Sequence, residues 1–186
     1  MRQNRREFIR NASLGAAAVA IGGVADGMNA RSYSRIIGAN DRIFVAIAGL
    51  GRRLDAYLEP LSSKQANVEL VYLCDVMKSQ REKAAARFAK LIDNKPALEN
   101  DIRKVLEDKK VDALFNATPD HWHAPGAFLA MKAGKHVYLE KPCSHNPREG
   151  ELLVDFQKKY GLIIQMGNQQ RSAPESIEII GEIHKG

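Results

Sequence analysis

Ile43-Phe44-Val45-Ala46-Ile47-Ala48-Gly49-Leu50-Gly51-Arg52-Arg53 decides the fold. Six apolar residues in a row, rich in β-branched and aromatic types, read as a short strand buried on both faces, the kind that parallel sheets use. Gly49 closes the strand, and Arg53 to Lys64 follows as a helix with Leu54, Tyr57, Leu58 and Leu61 on one side. Strand, glycine turn, helix is the opening of a βαβ unit.

Working outward, the alternation continues. Val68 to Cys74 is a second strand that ends at Asp75, and Ser79 to Ile92 is an amphipathic helix with Ala84, Ala85, Phe88 and Ile92 as its inner stripe. A poorly defined stretch at Lys95–Asn100 precedes a helix from Asp101 to Asp108. Val111 to Ala117 is a third clear strand, ended by the turn Thr118-Pro119-Asp120, and His121 to Ala133 is a helix closed by Gly134. His136 to Leu139 is a strand, Pro147 to Tyr160 a helix opened by proline and stopped by Gly161, and Leu162 to Met166 a further strand. This pattern predicts a doubly wound α/β fold, a parallel sheet with helices on both faces.

Composition narrows the class. The chain has 186 residues, 45% hydrophobic and 27% charged, an ordinary globular balance that excludes collagen-like and wholly disordered chains. Two cysteines, Cys74 and Cys143, make neither a disulfide scaffold nor a four-cysteine zinc site. The net charge of +6 includes +2 from residues 1–30, where Arg2, Arg5, Arg6 and Arg10 face Glu7 and Asp26. The remaining surplus is dispersed among acids, so no nucleic-acid partner is expected.

The glycine turn carries the first chemical signal. Gly49, Leu50, Gly51 and Arg52 lie between strand and helix, where amides can approach a pyrophosphate at a helix N-terminus. A complete fingerprint has a third small residue at position 54, and this chain has Leu54. Either the helix sits less closely on its strand, or the turn takes another shape. Asp75, 24 residues beyond Gly51, can accept bonds from both adenosine ribose hydroxyls and would repel a 2′-phosphate. NAD is thereby favoured over NADP, while Arg52 and Arg53 keep NADP open.

Three further segments fall at strand ends. Asn116-Ala117-Thr118-Pro119-Asp120-His121-Trp122-His123 ends a parallel strand, where open α/β sheets bind ligands, and Thr118, Pro119 and His123 are candidate cofactor contacts. The pair His121 and His123 lacks a third ligand at metal spacing, so no metal is expected. Glu140-Lys141-Pro142 follows the next strand. A lysine facing a nicotinamide crevice can bond a substrate hydroxyl, its pKa lowered by desolvation and the nearby ring, with Glu140 holding it in place. A solvated Lys–Glu pair is the alternative. Gly167-Asn168-Gln169-Gln170-Arg171 ends the last strand with more polar groups.

Together Ala48-Gly49-Leu50-Gly51, Thr118 to His123, Glu140-Lys141-Pro142 and Gly167-Asn168-Gln169 resemble the glucose–fructose oxidoreductase / inositol dehydrogenase (Gfo/Idh/MocA) family over about Asp41 to Gly186. The resemblance implies an N-terminal Rossmann domain for NAD(P) with strand order 3-2-1-4-5-6. It implies that Lys141 contacts substrate and nicotinamide as the catalytic residue, that Glu140 lies at the cofactor, and that Pro142 follows a cis bond. It also implies a second domain that carries the general base, substrate specificity and a homo-oligomer interface. The expected organisation is a signal and linker at 1–35, the dinucleotide domain at 41–172, and the start of a connection at 173–186. On this view the chain is a fragment or a truncated gene product, expected to be inactive alone.

Asn4-Arg5-Arg6-Glu7-Phe8-Ile9-Arg10 resembles the twin-arginine export motif, followed by the mildly apolar run Ala12 to Val24, too short to span a bilayer. Val24-Ala25 and Asn29-Ala30 both fit a cleavage site, and an uncleaved anchor stays open. The expectation is export by the twin-arginine translocase, to the periplasm or otherwise out of the cytoplasm, with NAD carried tightly bound. The expected activity is hydride transfer between nicotinamide and a hydroxyl of a sugar or polyol. Redox-neutral NAD-dependent glycoside hydrolysis and a non-catalytic nucleotide-binding module are the alternatives; the family's redox-neutral glycosidases tend to lack the lysine of Glu-Lys-Pro.

Overall fold

The computed structural model describes residues 42–186, so the arginine-rich stretch and the run Ala12 to Val24 lie outside the described residues. Six strands form one parallel sheet: β1 (Ile43–Ala48), β2 (Val68–Cys74), β3 (Ala97–Glu99), β4 (Ala113–Asn116), β5 (His136–Glu140) and β6 (Ile164–Gly167), in spatial order β3-β2-β1-β4-β5-β6. This is the order 3-2-1-4-5-6 that the resemblance implied. It reverses direction between β1 and β4, which opens a crevice at the carboxyl ends of the strands.

Among the described residues, six α-helices accompany the sheet: α1 (Asp55–Ser62), α2 (Lys78–Phe88), α3 (Ile102–Glu107), α4 (His123–Lys132), α5 (Pro147–Tyr160) and α6 (Pro174–Lys185). The central strand feeds two cores because successive side chains point to opposite faces. Val45 and Ile47 join Leu50, Leu54, Tyr57, Leu61 and Phe88 beneath α1 and α2. Ala46 and Ala48 face the other way, into a layer with Val105, Leu114, Ala127 and Met131 from α3, β4 and α4. Each fully buried valine, leucine, isoleucine, phenylalanine or methionine among them contributes about 1.5–3 kcal/mol relative to exposure.

The register sets the site. Ala48 pairs with Cys74 on one side and Asn116 on the other, so the tips of β1, β2 and β4 stand in one row. α5 is capped as its sequence suggests: the Asn146 side chain accepts from the Glu149 amide, Pro147 occupies the first turn, and Gly161 closes the helix at φ +63.

Two elements differ from expectation. The stretch at Lys95–Asn100 contains β3, a three-residue edge strand paired to β2. The expected connection at 173–186 includes α6, whose Ile177, Ile180 and Ile183 are exposed.

Candidate functional site: a crevice at the strand tips

The glycine turn takes the second of the two shapes anticipated for it. Instead of entering α1 directly, the chain makes a 3₁₀ turn at Arg52–Leu54, with the Leu54 amide bonded to the Gly51 carbonyl at 3.1 Å. Leu54 thereby points into the core under α1, which is how a large residue is tolerated at the third position. The Arg52 and Arg53 amides precede that first bond and stay available to a ligand, as the opening amides of any helical turn do.

Gly49 is required for two separate reasons. Its φ of +88 lies in the left-handed region, and a Cβ there would stand 2.3 Å from the Ala117 carbonyl oxygen. A Cβ on Gly51 would meet nothing within 4 Å. Gly49 lets β1 and β4 approach, while Gly51 leaves open space where a phosphate can lie.

Asp75 binds the turn directly. Its Oδ2 accepts from the Leu50 amide at 2.8 Å and its Oδ1 from the Met77 amide at 2.9 Å. Each carboxylate oxygen keeps a lone pair for a ribose hydroxyl. The same bond commits the Leu50 amide to Asp75, while the Leu50 side chain packs in the core.

A cleft of about 1020 Å³ joins these groups. Gly49, Cys74 and Asp75 form one wall, Asn100 to Lys104 a second, and Thr118, Pro119, His121 and Trp122 a third. Burial, with nearby Glu99, Asp75 and Asp101, pushes the Cys74 thiol up to about 12, so the wall there is neutral at ordinary pH. Asp101 caps α3 through the Arg103 amide and pairs with the Arg103 guanidinium, which holds its carboxyl down at about 2.

Asn116 holds the third wall. This fully buried side chain donates to the His123 carbonyl at 3.0 Å and accepts from the Thr118 hydroxyl at 2.7 Å. It ties the start of α4 to the Thr118 loop. Sequence reasoning gave it no role, although an amide at the last position of an apolar strand is itself a signal.

Glu140 and His123 face inwards. Glu140 is 4% exposed, and its Oε1 accepts from Arg53 Nε at 2.7 Å, the Tyr57 hydroxyl at 2.8 Å and Gln169 Nε2 at 3.2 Å. It ties β5 to the first helical turn and to the turn after β6, and makes no side-chain bond to the lysine beside it. Burial, and then the hydrogen bond to Glu140 and its charge, raise the Tyr57 pKa above the ordinary phenol value. Arg53 is therefore paired, leaving Arg52 as the exposed arginine of the turn. His123 is 2% exposed, and its Nδ1 meets the Pro142 carbonyl oxygen at 2.5 Å. It braces the Lys141–Pro142 turn rather than lining the cleft. The Lys141–Pro142 peptide is cis, as the resemblance implied. Lys141 itself is exposed, so residues 42–186 do not supply the desolvation expected for it.

The crevice, the strand order and the turn together define a dinucleotide-binding Rossmann domain. The family model described as an oxidoreductase family with an NAD-binding Rossmann fold matches residues 43–168, and the chain belongs to this Gfo/Idh/MocA family. It is 29% identical to a glycosyl hydrolase family 109 protein of Saccharopolyspora erythraea, over 98% of this chain and 43% of the relative. It is 25% identical, with the same coverage, to an alpha-N-acetylgalactosaminidase of Shewanella oneidensis. The structure of scyllo-inositol dehydrogenase from Lactobacillus casei with bound NAD(H) and scyllo-inositol superposes with a TM-score of 0.69 at 21% identity, over 78% of this chain and 42% of that one. That likeness is one of fold. The chain spans less than half the length of the relatives it matches.

Proposed function

We propose that this chain forms the cofactor half of an NAD(P)-dependent oxidoreductase that moves hydride between nicotinamide and a hydroxyl of a sugar or polyol. The observation that carries this is the bond between Asp75 and the Leu50 amide, which makes the glycine turn and the ribose-binding carboxylate one unit on one cleft. Bound NAD supplies a hydride acceptor. The residues of the chain bind and orient it: the Arg52 and Arg53 amides face the pyrophosphate, Asp75 takes the adenosine ribose, and Thr118 and Pro119 wall the cleft. Lys141, presented at the tip of β5, bonds the substrate hydroxyl. The unmodified carboxylate at Asp75 supports NAD over NADP, since a 2′-phosphate would meet like charge there.

A second reading has its own support. The two curated relatives described above are named as glycoside hydrolases, which favours redox-neutral glycoside cleavage, in which NAD is reduced and reoxidised within one turnover. The lysine of Glu140-Lys141-Pro142 favours the oxidoreductase. Export through the twin-arginine pathway, suggested by Asn4 to Arg10, accords with a cofactor that stays bound, because free NAD is scarce outside the cytoplasm. Denaturing protein purified after expression of the complete gene and measuring the released nucleotide tests this: stoichiometric NAD is expected. Cofactor-free protein that turns over with added NAD contradicts retention. Assay of sugars and polyols beside aryl α-glycosides separates the two activities.

A further inference from the structure

The Lys141 side chain is exposed and makes no hydrogen bond or ion pair to any described residue. A lysine stem carries about 2 kcal/mol of rotamer entropy, so nothing in its own side chain fixes where the amine stands. Its neighbours on both sides are fixed. Glu140 is clamped by Arg53, Tyr57 and Gln169. The carbonyl of Pro142 is held by buried His123 of α4. A carbonyl only accepts, so Nδ1 of His123 is the protonated nitrogen in this contact.

We propose that His123 is a positioning residue for Lys141, acting through its Nδ1–H on the Pro142 carbonyl, opposite the Glu140 clamp. The inference rests on the proposal that Lys141 faces the nicotinamide end of the cofactor. A buried histidine bonded to a carbonyl is an ordinary way of satisfying a ring. What distinguishes this one is that its partner is the residue directly after the lysine. With the main chain fixed at residues 140 and 142, the Cα–Cβ vector of Lys141 is set before any ligand arrives.

The test compares wild type, H123N and H123Q in the full chain. The asparagine amide nitrogen sits one bond from Cγ, as Nδ1 does, and can restore the bond; the glutamine nitrogen sits one bond further out and cannot. Glutamine fills the buried space better, so a packing role ranks the two variants in the opposite order. The probe is an NAD analogue whose nicotinamide ribose alone has been opened to a dialdehyde, leaving the adenosine ribose hydroxyls for Asp75. The Lys141 amine condenses with an aldehyde, losing water, and borohydride reduces the imine to a secondary amine read by peptide mass.

Capture at Lys141 is expected to fall about tenfold in H123Q and stay within about threefold of wild type in H123N, the scale on which small misplacements matter. Equal capture in all three proteins, or capture that follows melting temperature, overturns the inference. Should neither variant fold, the ¹⁵N signal of wild-type His123 decides: an unprotonated Nδ1 overturns it. Wild-type capture that excess NAD does not block removes the underlying cofactor reading instead, a separate and distinguishable failure.

Discussion

Asp75 and Leu50 are joined across 25 residues by a 2.8 Å bond from the Leu50 amide to a carboxylate oxygen, so the tip of β2 sets the shape of the glycine turn at the tip of β1. The same carboxylate faces the cleft. Selectivity should follow from its charge. Asp75→Asn keeps an acceptor for Leu50 but removes the charge, and should raise affinity for NADP relative to NAD by about tenfold. Paired titrations with the two nucleotides check this; an unchanged ratio contradicts it.

The two glycines of the turn should separate stability from binding. Gly49→Ala places a Cβ 2.3 Å from a backbone oxygen at φ +88, and should cost about 3 kcal/mol or more. Gly51→Ala meets nothing within 4 Å, and should change stability by less than about 1 kcal/mol. It should nonetheless weaken dinucleotide binding, because the added methyl group occupies the phosphate space. Urea unfolding beside ADP-ribose titration measures both.

Asn116 should behave as a brace for the cleft wall. Asn116→Ala removes bonds to the Trp122 and His123 carbonyls and to the Thr118 hydroxyl. A loss of about 2–4 kcal/mol is expected, since buried carbonyls lose their donor. Asn116→Asp should do worse, because its carboxylate would face those two carbonyls without a proton to donate. Thermal unfolding compares the two.

High pH should loosen the fold through named groups. Tyr57 and Cys74 both titrate higher in the fold than their ordinary values of 10.0 and 9.0. Folding favours their neutral forms, so their contribution is complete below those values and is lost as pH rises above them. Stability should decline from about pH 9 upward, and Tyr57→Phe should remove the part of the decline that begins near pH 10. Denaturant midpoints between pH 8 and 11 measure this. Buried Cys74, held protonated, should also resist iodoacetamide at neutral pH until the protein unfolds.

Much of this was legible because β1, β2, β4 and β5 are apolar runs bounded by turn residues. β3 was not: Ala97 and Leu98 are exposed at the sheet edge, so no hydrophobic pattern marks them. α6 carries isoleucines at helical spacing at 177, 180 and 183, a legible signal that an expected connection obscures. In the site, Gly49 and Asp75 follow from spacing alone. Partnerships do not: Glu140 meets Arg53 across 87 residues and Tyr57 across 83, contacts fixed by sheet order rather than by neighbours in sequence. The same order buries the side chains of Leu50, Glu140 and His123, which sequence spacing does not reveal.

The most direct measurement is calorimetric titration of the nucleotide-stripped full chain with NAD, for wild type and Asp75→Ala. The account predicts saturable one-to-one binding to wild type, weakened about tenfold or more in the variant, the worth of a lost charged hydrogen bond. Wild type that binds no NAD, or a folded variant that binds it as well as wild type, would contradict the claim that turn and carboxylate grip the dinucleotide together.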